Sequence, residues 1–357
     1  MMDTILYHDM EDIYSRSNEW KLLEGKTILL TGAYGMLASY ITYFIIYLHE
    51  VKNIDIKMIA IVRSKEKFYK KFVFLKERNF VKVVESNLNS PIEIEENIDY
   101  IIHAASLASP QYYSICPVDV MSPNVIGNYY LLNLAVEKKI KGYLLFSTGD
   151  IYGSVDGKSS ISEVDYGIMD TLDIHNCYSE SKRMAETMCK AYLVQYGVPV
   201  KIARIWHTYA PTMDIKNDPR VFASFVKNII SREDIVMKSD GLGKRSFCYI
   251  TDAVAGYFTI LFKGEVGEAY NVCNESQFIS ISELADILVG LYPERGLKVV
   301  RKERDASEHY IENVLLVGRE SVPSNGKLES LGWHARVNIK EGFDRVVRYI
   351  ESGVIEN

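Results

Sequence analysis

The stretch KTILLTGAYGMLA, residues 26–38, decides the fold of this chain. Its first six residues form an apolar run of the length expected for a buried strand, and residues 34–49 have the apolar spacing of a helix. Gly32 permits a tight turn directly after the strand, and Gly35 lets a phosphate group approach the backbone at the positive end of the following helix. The stretch therefore predicts a strand, a phosphate-binding turn and a helix.

Strands and helices alternate on the C-terminal side of this turn. Apolar runs predict strands over residues 26–31, 57–62, 81–84, 100–103, 142–147 and 200–206, and helices over 34–49, 117–138 and 178–196. Continuous apolar strands between helices indicate a parallel sheet that is covered on both faces. A glycine-rich turn after the first strand is the signature position of the Rossmann fold. We therefore predict the α/β class, with a doubly wound Rossmann sheet.

The alternation also suggests a division of the chain. Residues 1–24 are predicted to form an N-terminal arm, and residues 25–210 the Rossmann dinucleotide-binding domain. After Pro211 the alternation weakens. Residues 211–357 are therefore predicted to form mainly a smaller substrate-binding domain, with some return to the main sheet near residues 269–272.

Composition excludes several classes of protein. The 357 residues are 48% hydrophobic and 25% charged, with a net charge of -6, which argues against a nucleic-acid surface. The longest apolar run is too short to span a bilayer, and the N-terminus does not resemble a signal peptide. The five cysteines and seven histidines have no metal-ligand spacing. We expect a cytoplasmic protein with reduced thiols, no membrane association and no metal site.

Tyr178 and Lys182 are one helical turn apart on one face of a predicted helix. A free tyrosine is a poor base at neutral pH, because its pKa is about 10. A nearby ammonium group and a positively charged nicotinamide ring would favour the phenolate. Thr148, at the end of a predicted strand, can hold the reacting oxygen. This set of residues predicts hydride transfer at a secondary alcohol, with Tyr178 taking the hydroxyl proton.

The second strand bears on the choice of cofactor. An acidic residue at its end commonly binds the ribose of NAD, but this strand ends Ile61-Val62-Arg63-Ser64. Arg63 can instead hold the 2′-phosphate of NADP, which slightly favours NADP over NAD. A solvated arginine at a strand end is the alternative explanation.

Several motifs together identify a family. They are TGAYGMLA (31–38), HAASLASP (103–110), NVIGN (124–128), FSTGDIYG (146–153), YSESK (178–182), RIWHTYAP (204–211), RSFCYITD (245–252) and LGW (331–333). From about residue 26 to about residue 342, the chain resembles the extended short-chain dehydrogenase/reductases of the nucleotide-sugar epimerase/dehydratase group. HAASLASPQYY and CYSESKRMAETMCKAY most resemble the UDP-glucuronate decarboxylases within that group.

The resemblance implies roles for particular residues. It implies a homodimer that acts on a nucleoside-diphosphate sugar and oxidises C4 of the sugar, often with re-reduction by the same cofactor. The implied cofactor contacts are Gly32, Tyr34, Gly35, Met36, Leu37, Arg63, Asn87, Leu88, Ala104, Ala105, Ser106, Tyr178 and Lys182. The implied catalytic residues are Thr148, Asp150, Tyr178 and Lys182, and the implied substrate contacts are Thr148, His207, Arg220 and Arg245.

The chain departs from the family pattern after Thr148. In 4,6-dehydratases this segment reads Thr-Asp-Glu and in decarboxylases Thr-Ser-Glu, whereas here it reads Thr148-Gly149-Asp150. The missing acid at the middle position argues against dehydration. Asp150 keeps a carboxylate on a shorter side chain, and a turn residue is the alternative reading. His207 stands where the family has an Asn that helps to hold the substrate.

The resemblance of these segments favours decarboxylation of a UDP-hexuronic acid such as UDP-glucuronate, although the shorter Asp150 counts against it. A 4-epimerase needs no acid or base beyond Thr148 and Tyr178, and an NADPH-dependent 4-keto-6-deoxy-sugar reductase would suit Arg63. A 4,6-dehydratase fits less well. The alternative from another class is a catalytically silent protein that senses the cofactor or a sugar nucleotide, and loss of turnover in a Tyr178→Phe variant would exclude it.

Overall fold

The structure is a computed structural model that describes residues 3–155, 157–218, 220–302 and 321–353. The strands are β1 (Lys26–Thr31), β2 (Ile56–Val62), β3 (Val81–Glu85), β4 (Tyr100–His103), β5 (Gly142–Thr148), β6 (Ser160–Ile161), β7 (Val200–Ile205), β8 (His207–Tyr209), β9 (Ile235–Met237), β10 (Lys244–Tyr249), β11 (Ala269–Val272), β12 (Phe278–Ser280), β13 (Val299–Arg301) and β14 (Val322–Pro323). The helices are α1 (Thr4–Ser15), α2 (Met36–Glu50), α3 (Lys65–Lys71), α4 (Gln111–Ile115), α5 (Pro117–Ser122), α6 (Asn128–Lys138), α7 (Cys177–Tyr196), α8 (Val221–Ser231), α9 (Ile250–Lys263), α10 (Ile281–Leu291), α11 (Gly326–Glu329) and α12 (Ile339–Glu351).

A seven-stranded parallel sheet forms the centre of the molecule. Its strand order is β11-β7-β5-β4-β1-β2-β3, and every neighbouring pair is parallel. The order reverses at β1, where Thr31 pairs with Ile61 of β2 and with His103 of β4. Ligands bind at such a reversal, beyond the carboxyl ends of the strands. The predicted doubly wound Rossmann sheet is thus confirmed.

The two faces of the sheet are both buried, because alternate residues of each strand point to opposite sides. Ile28 and Leu30 of β1 belong to a core cluster shared with α2 and α9, whereas Leu29 belongs to a second cluster shared with α6 and α7. Two covered faces explain why the strands are continuous apolar runs rather than alternating ones.

Small sheets extend the fold beyond β7. Strand β10 pairs in parallel with β8 and antiparallel with β12, β9 pairs with β13, and β6 pairs with β14. Strand β8 begins only two residues after β7, so this smaller part is connected directly to the carboxyl edge of the main sheet. None of the helices in the described ranges is long and apolar enough to cross a membrane.

The N-terminal helix α1 is anchored by a buried carboxylate. Asp9 is fully buried and accepts hydrogen bonds from the hydroxyls of Tyr40 (2.9 Å) and Tyr249 (2.7 Å) and from the guanidinium of Arg345 (2.7 Å). Burial raises the pKa of Asp9 to about 6, although these partners act in the opposite direction. The carboxylate therefore ties α1 to α2, β10 and α12.

A second network anchors the end of the same helix. Arg16 pairs with Asp12 at 2.7 Å and also with the buried Asp252 at the start of α9. Asp252 in turn accepts hydrogen bonds from the backbone N–H groups of Arg336 (2.9 Å) and Val337 (3.1 Å). The N-terminal segment is therefore connected to the C-terminal part of the chain.

The region predicted as one helix over 117–138 is divided. A π-helical turn, Pro123–Gly127, joins α5 to α6. Such a turn displaces the backbone and is frequent at functional sites.

Candidate active site

The glycine-rich turn after β1 has the geometry that a dinucleotide requires. Gly32 has φ +69°, donates to the carbonyl of Ile61 at 2.8 Å, and would place a Cβ 3.0 Å from the Cα of Ala105. Gly35 precedes α2 with no side-chain cap. The first N–H groups of the helix therefore point towards any phosphate bound at the turn.

A pocket of about 340 Å³ opens beside this turn. Its lining residues are Gly32, Tyr34, Gly35, Ile61, Arg63, Ser86, Asn87, Leu88, Asn89, Ala104, Ala105, Ser106, Leu107, Asp119, Ser122 and Pro123. The pocket thus brings together most of the residues that were predicted to contact the cofactor. Met36 and Leu37 lie in the first turn of α2 instead, and Tyr178 and Lys182 lie on α7.

The pocket fits a dinucleotide on its own geometry. The hydroxyl oxygen of Ser106, which lines the pocket, is buried without a partner among the described residues, which leaves a polar group for a ligand. Arg63 is exposed just beyond the end of β2. Ile61, Asn89 and Asp119 also line the pocket, although the sequence did not single them out.

A buried hydrogen-bond chain holds the strand ends together at this pocket. The Thr31 hydroxyl accepts from the N–H groups of Ala104 (3.1 Å) and Ala105 (3.0 Å), so it donates its own proton to Nδ1 of His103 at 2.9 Å. Nε2 of His103 then donates to the carbonyl of Pro123 at 3.0 Å. Burial and the nearby Lys182 lower the pKa of His103 to about 3, so its ring is neutral at physiological pH.

The predicted catalytic pair lies at the start of α7. Tyr178 and Lys182 are both buried, and the ammonium nitrogen is 5.8 Å from the centre of the phenol ring. Nζ of Lys182 donates to the carbonyl of Phe146 on β5 at 2.7 Å. The ring of Tyr178 stacks on Tyr113 at a centroid distance of 5.3 Å and an interplanar angle of 11°. Both functional groups are therefore fixed by neighbouring elements.

The expected acidity of the phenol is not reproduced by the protein alone. Burial, with the carboxylate of Asp150, raises the pKa of Tyr178 well above its ordinary value, and a hydrogen bond with Thr148 offsets only part of this rise. Burial also lowers the pKa of Lys182 to about 7. Desolvation is thus the dominant influence on the phenol, and the expectation that Lys182 and a nicotinamide ring together favour the phenolate stays a prediction.

Thr148 and Asp150 lie at the carboxyl end of β5, next to Tyr178. The Thr148 hydroxyl accepts from the N–H of Asp150 at 3.2 Å and so caps the short turn Gly149–Tyr152. The Asp150 carboxylate raises the pKa of both Tyr178 and Tyr113, which places it near the stacked phenols. Thr148, Asp150 and Tyr178 are therefore brought together in space.

An ion pair connects the strands and the helix that carry Thr148 and Tyr178. The guanidinium of Arg204 on β7 donates to both carboxylate oxygens of Glu186 on α7, at 3.1 and 2.8 Å. Ser147, next to Thr148, donates to the same carboxylate at 2.5 Å. The bidentate geometry fixes α7 relative to β5 and β7.

Asn124 is a buried polar residue that the sequence analysis did not assign. Its side-chain nitrogen donates to the carbonyl of Val120 at 3.0 Å and to the hydroxyl of Ser181 at 2.9 Å, and its oxygen has no partner in the described part of the chain. It lies in the π-helical turn. The motif NVIGN contained this signal, but the interruption of the helix was not visible in the periodicity.

The substrate-binding predictions fall in two places. His207 and Arg245 line a second, smaller pocket that also includes Gly149 and Trp206. Arg220 instead lies beside Met36 at the start of α2 and forms an ion pair with Asp218 at 2.5 Å.

This position is nevertheless near Tyr113, because burial raises the pKa of that phenol and the charge of Arg220 offsets a small part of the rise. No group of three or more His, Cys, Asp or Glu side chains within the described residues could hold a metal ion.

Comparison with known proteins gives consistent matches. Residues 28–273 match the family model described as the NAD dependent epimerase/dehydratase family. The chain is 32% identical over 262 residues to UDP-glucuronic acid decarboxylase 6 of Arabidopsis thaliana, with 73% of this chain and 71% of that protein covered. It is 31% identical over 328 residues to UDP-glucuronic acid decarboxylase 1 of Xenopus tropicalis, with 91% and 72% covered.

Solved structures share the fold at lower identity. UDP-glucose 4-epimerase from Thermotoga maritima has a TM-score of 0.74 at 19% identity, with 92% of this chain and 99% of that chain covered. UDP-glucuronic acid 4-epimerase from Bacillus cereus, solved with UDP-glucuronic acid and NAD, has a TM-score of 0.73 at 19% identity, with 91% and 99% covered. At this level of identity the likeness concerns the fold alone.

Proposed function

Since this chain belongs to the NAD dependent epimerase/dehydratase family, we propose that it oxidises C4 of a sugar carried on a nucleoside diphosphate, and that its reaction is decarboxylation of UDP-glucuronic acid. The family relationship makes it an enzyme that uses a nicotinamide dinucleotide, NAD or NADP. The observation that carries the proposal is the group formed by Thr148, Asp150 and Tyr178 at the carboxyl end of β5.

The pocket beside Gly32 would hold the dinucleotide, with its pyrophosphate at the N-terminus of α2. When bound, the dinucleotide would supply a hydride acceptor for C4 and a positive charge near Tyr178. That charge would oppose the desolvation that raises the pKa of Tyr178 in the protein alone. Arg63 at the pocket edge supports NADP, although the position is also compatible with NAD.

Tyr178 would take the proton of the C4 hydroxyl while Thr148 holds its oxygen. The resulting 4-keto-hexuronic acid is a β-keto acid, so the C5–C6 bond breaks with loss of CO₂ and the electron pair passes into the ketone as an enolate. Protonation at C5 then requires one acid, and Asp150 or Tyr178 can supply it. No second carboxylate is needed, which suits the Gly at position 149.

A second copy of the chain is the partner that the surface supports. Adjacent helices α5, α6 and α7 expose large apolar side chains, including Val118, Tyr129, Met184 and Val194. The rings of Tyr129 and Tyr192 contact each other at 6.4 Å between α6 and α7. We propose that these helices form the contact of a homodimer.

The test is the mass of the product after incubation with UDP-glucuronic acid, with and without NADPH. Loss of CO₂ without added reductant supports decarboxylation. An unchanged mass with a new chromatographic peak would indicate 4-epimerisation instead. Gain of two hydrogens by a 4-keto-6-deoxy sugar nucleotide, only with NADPH, would indicate a reductase.

Tyr178→Phe is expected to reduce turnover by about 100- to 10,000-fold, because it removes the acid–base group but keeps the ring. The matched control is Tyr113→Phe, which keeps the stacked ring and removes a hydroxyl that donates only to the carbonyl of Ala108 at 3.1 Å. Equal turnover by the Tyr178→Phe variant and the wild type would rule out this mechanism.

A further inference from the structure

The indole of Trp206 fills the space in which a side chain at position 149 would lie, next to the proposed catalytic group. A Cβ built on Gly149 would lie 2.6 and 2.7 Å from two atoms of the indole of Trp206, closer than real Cβ atoms come to any neighbour. The backbone of Gly149 is not in the left-handed region, so its conformation does not require glycine. The close approach of the indole is therefore the reason why this position carries no side chain.

The indole is held rigidly in this place. Its Nε1–H donates to the side-chain oxygen of Asn271 at 3.1 Å, and its ring stacks on Tyr152 at 5.8 Å and 24°. The hydroxyl of Tyr152 donates to the same oxygen of Asn271 at 2.7 Å and accepts from Arg204 at 3.0 Å. These contacts connect the indole to the buried edge strand β11, so its orientation is fixed before any ligand binds.

The indole faces the site where a substrate would lie. Gly149 follows Thr148 directly, and Gly149 and Trp206 line the same pocket as His207 and Arg245. The lining of this pocket therefore combines an aromatic ring with cationic or ionisable side chains. Because the Nε1–H is already used by Asn271, the indole presents only its ring to a ligand.

We infer that Trp206 is the specificity-determining residue for the sugar, and that its indole packs against the C–H face of the pyranose ring beside Thr148. The inference rests on the proposed function, since it takes the ligand to be a nucleotide sugar. Arg245 lines the same pocket and carries the kind of charged group that binds a diphosphate. The sugar would therefore contact Trp206, whereas the nucleoside diphosphate would not.

The contact between Gly149 and Trp206 also limits which functional groups the turn after Thr148 can carry. A residue with a side chain at position 149 would have to displace the indole, so no acid, base or hydroxyl can be added there while Trp206 is present. Asp150 is then the single carboxylate of the turn after Thr148. The same indole that positions the sugar thus excludes a second acid–base group.

The first experiment measures binding by calorimetry, with UDP-glucuronic acid and UDP as probes. In the Trp206→Ala variant we expect the dissociation constant for UDP-glucuronic acid to rise about 10-fold, the size of an aromatic packing contribution, and that for UDP to stay within about twofold. Trp333→Phe is the control, because Trp333 is buried, donates to the carbonyl of Asp252 at 2.9 Å and does not line either pocket.

The outcomes separate the two proposals. If Trp206→Ala weakens both probes equally, or neither, the inference fails while the proposed function stands. If the wild type binds neither probe, both fail. If the indole-dependent preference for UDP-glucuronic acid is present but Tyr178→Phe retains full turnover, the mechanism fails and the inference stands.

A thermal double-mutant cycle tests the packing directly. Gly149→Ala in the wild-type protein is expected to lower the melting temperature by about 3 °C, because the new methyl group overlaps the indole. In the Trp206→Ala background the same substitution is expected to change it by less than about 1 °C. Equal effects in the two backgrounds would overturn the claim that the indole excludes a side chain at position 149.

Discussion

Replacing Gly32 by Ala tests whether the cofactor turn depends on a close backbone approach as well as on a left-handed conformation. Gly32 has φ +69°, and an added Cβ would lie 3.0 Å from the Cα of Ala105 and 3.2 Å from its N. Both contacts are to backbone, which cannot move away as a flexible side chain could. Two separate costs should therefore add at this position.

The chain offers a matched control for the conformational cost. Gly25 has φ +67°, almost the same as Gly32, but a Cβ there would have no atom within 4 Å. Gly25→Ala should then cost about 1 kcal/mol, since a left-handed alanine costs about 1–2 kcal/mol and the stiffer unfolded chain returns about 0.4–1 kcal/mol. Overpacking adds about 1–3 kcal/mol. We expect Gly32→Ala to cost about 2–4 kcal/mol.

The free energy of unfolding of both variants is measured by urea denaturation, and cofactor affinity is measured by fluorescence titration with NADH and NADPH. Gly32→Ala should weaken cofactor binding at least 10-fold, because it alters the turn beside α2, whereas Gly25→Ala should leave it unchanged. Equal losses of stability in the two variants, with unchanged cofactor affinity in Gly32→Ala, would refute the close-approach argument.

Two further predictions concern charge and surface. Burial raises the pKa of Asp9 in the folded protein to about 6, from an ordinary 3.8. The contribution of Asp9 to stability is therefore fully present below about pH 4 and is lost as the pH rises through 6. By about pH 7 the loss amounts to about 3 kcal/mol. Urea denaturation at several pH values should show that Asp9→Asn lacks this part of the pH dependence, and identical profiles would contradict the assignment. Met184→Asp on α7 should shift the protein from dimer to monomer, as measured by analytical ultracentrifugation. Val266→Asp, at a similarly exposed apolar residue outside α5–α7, should leave the dimer intact. Equal oligomeric states in the two variants would contradict the proposed dimer contact.

The order of elements was visible in the sequence because both faces of the sheet are covered. Burial on both sides makes each strand a continuous apolar run, and the turn at Gly32 marks where the dinucleotide sheet begins. The helix over 117–138 shows where this reasoning stops. The π-helical turn at Pro123–Gly127 divides this span into two helices, and the apolar spacing alone did not predict the division.

The polar groups of the site were only partly accessible from the sequence. Thr148, Tyr178 and Lys182 were found because the spacing of the last two places them one turn apart on a helix. Their protonation was not accessible, because the pKa of Tyr178 depends on burial and on the nearby Asp150. A pattern of residue types contains no information about desolvation.

The sequence by itself determined the fold class and singled out the candidate cofactor turn and candidate catalytic side chains, because these depend on local conformation and on short, regular spacings. Only the tertiary structure decided that Trp206 fills the space beside Gly149 and that Asp9 lies buried between three other elements. These facts depend on contacts between residues far apart in the chain. Such contacts exist only after the sheet has brought the carboxyl ends of its strands together.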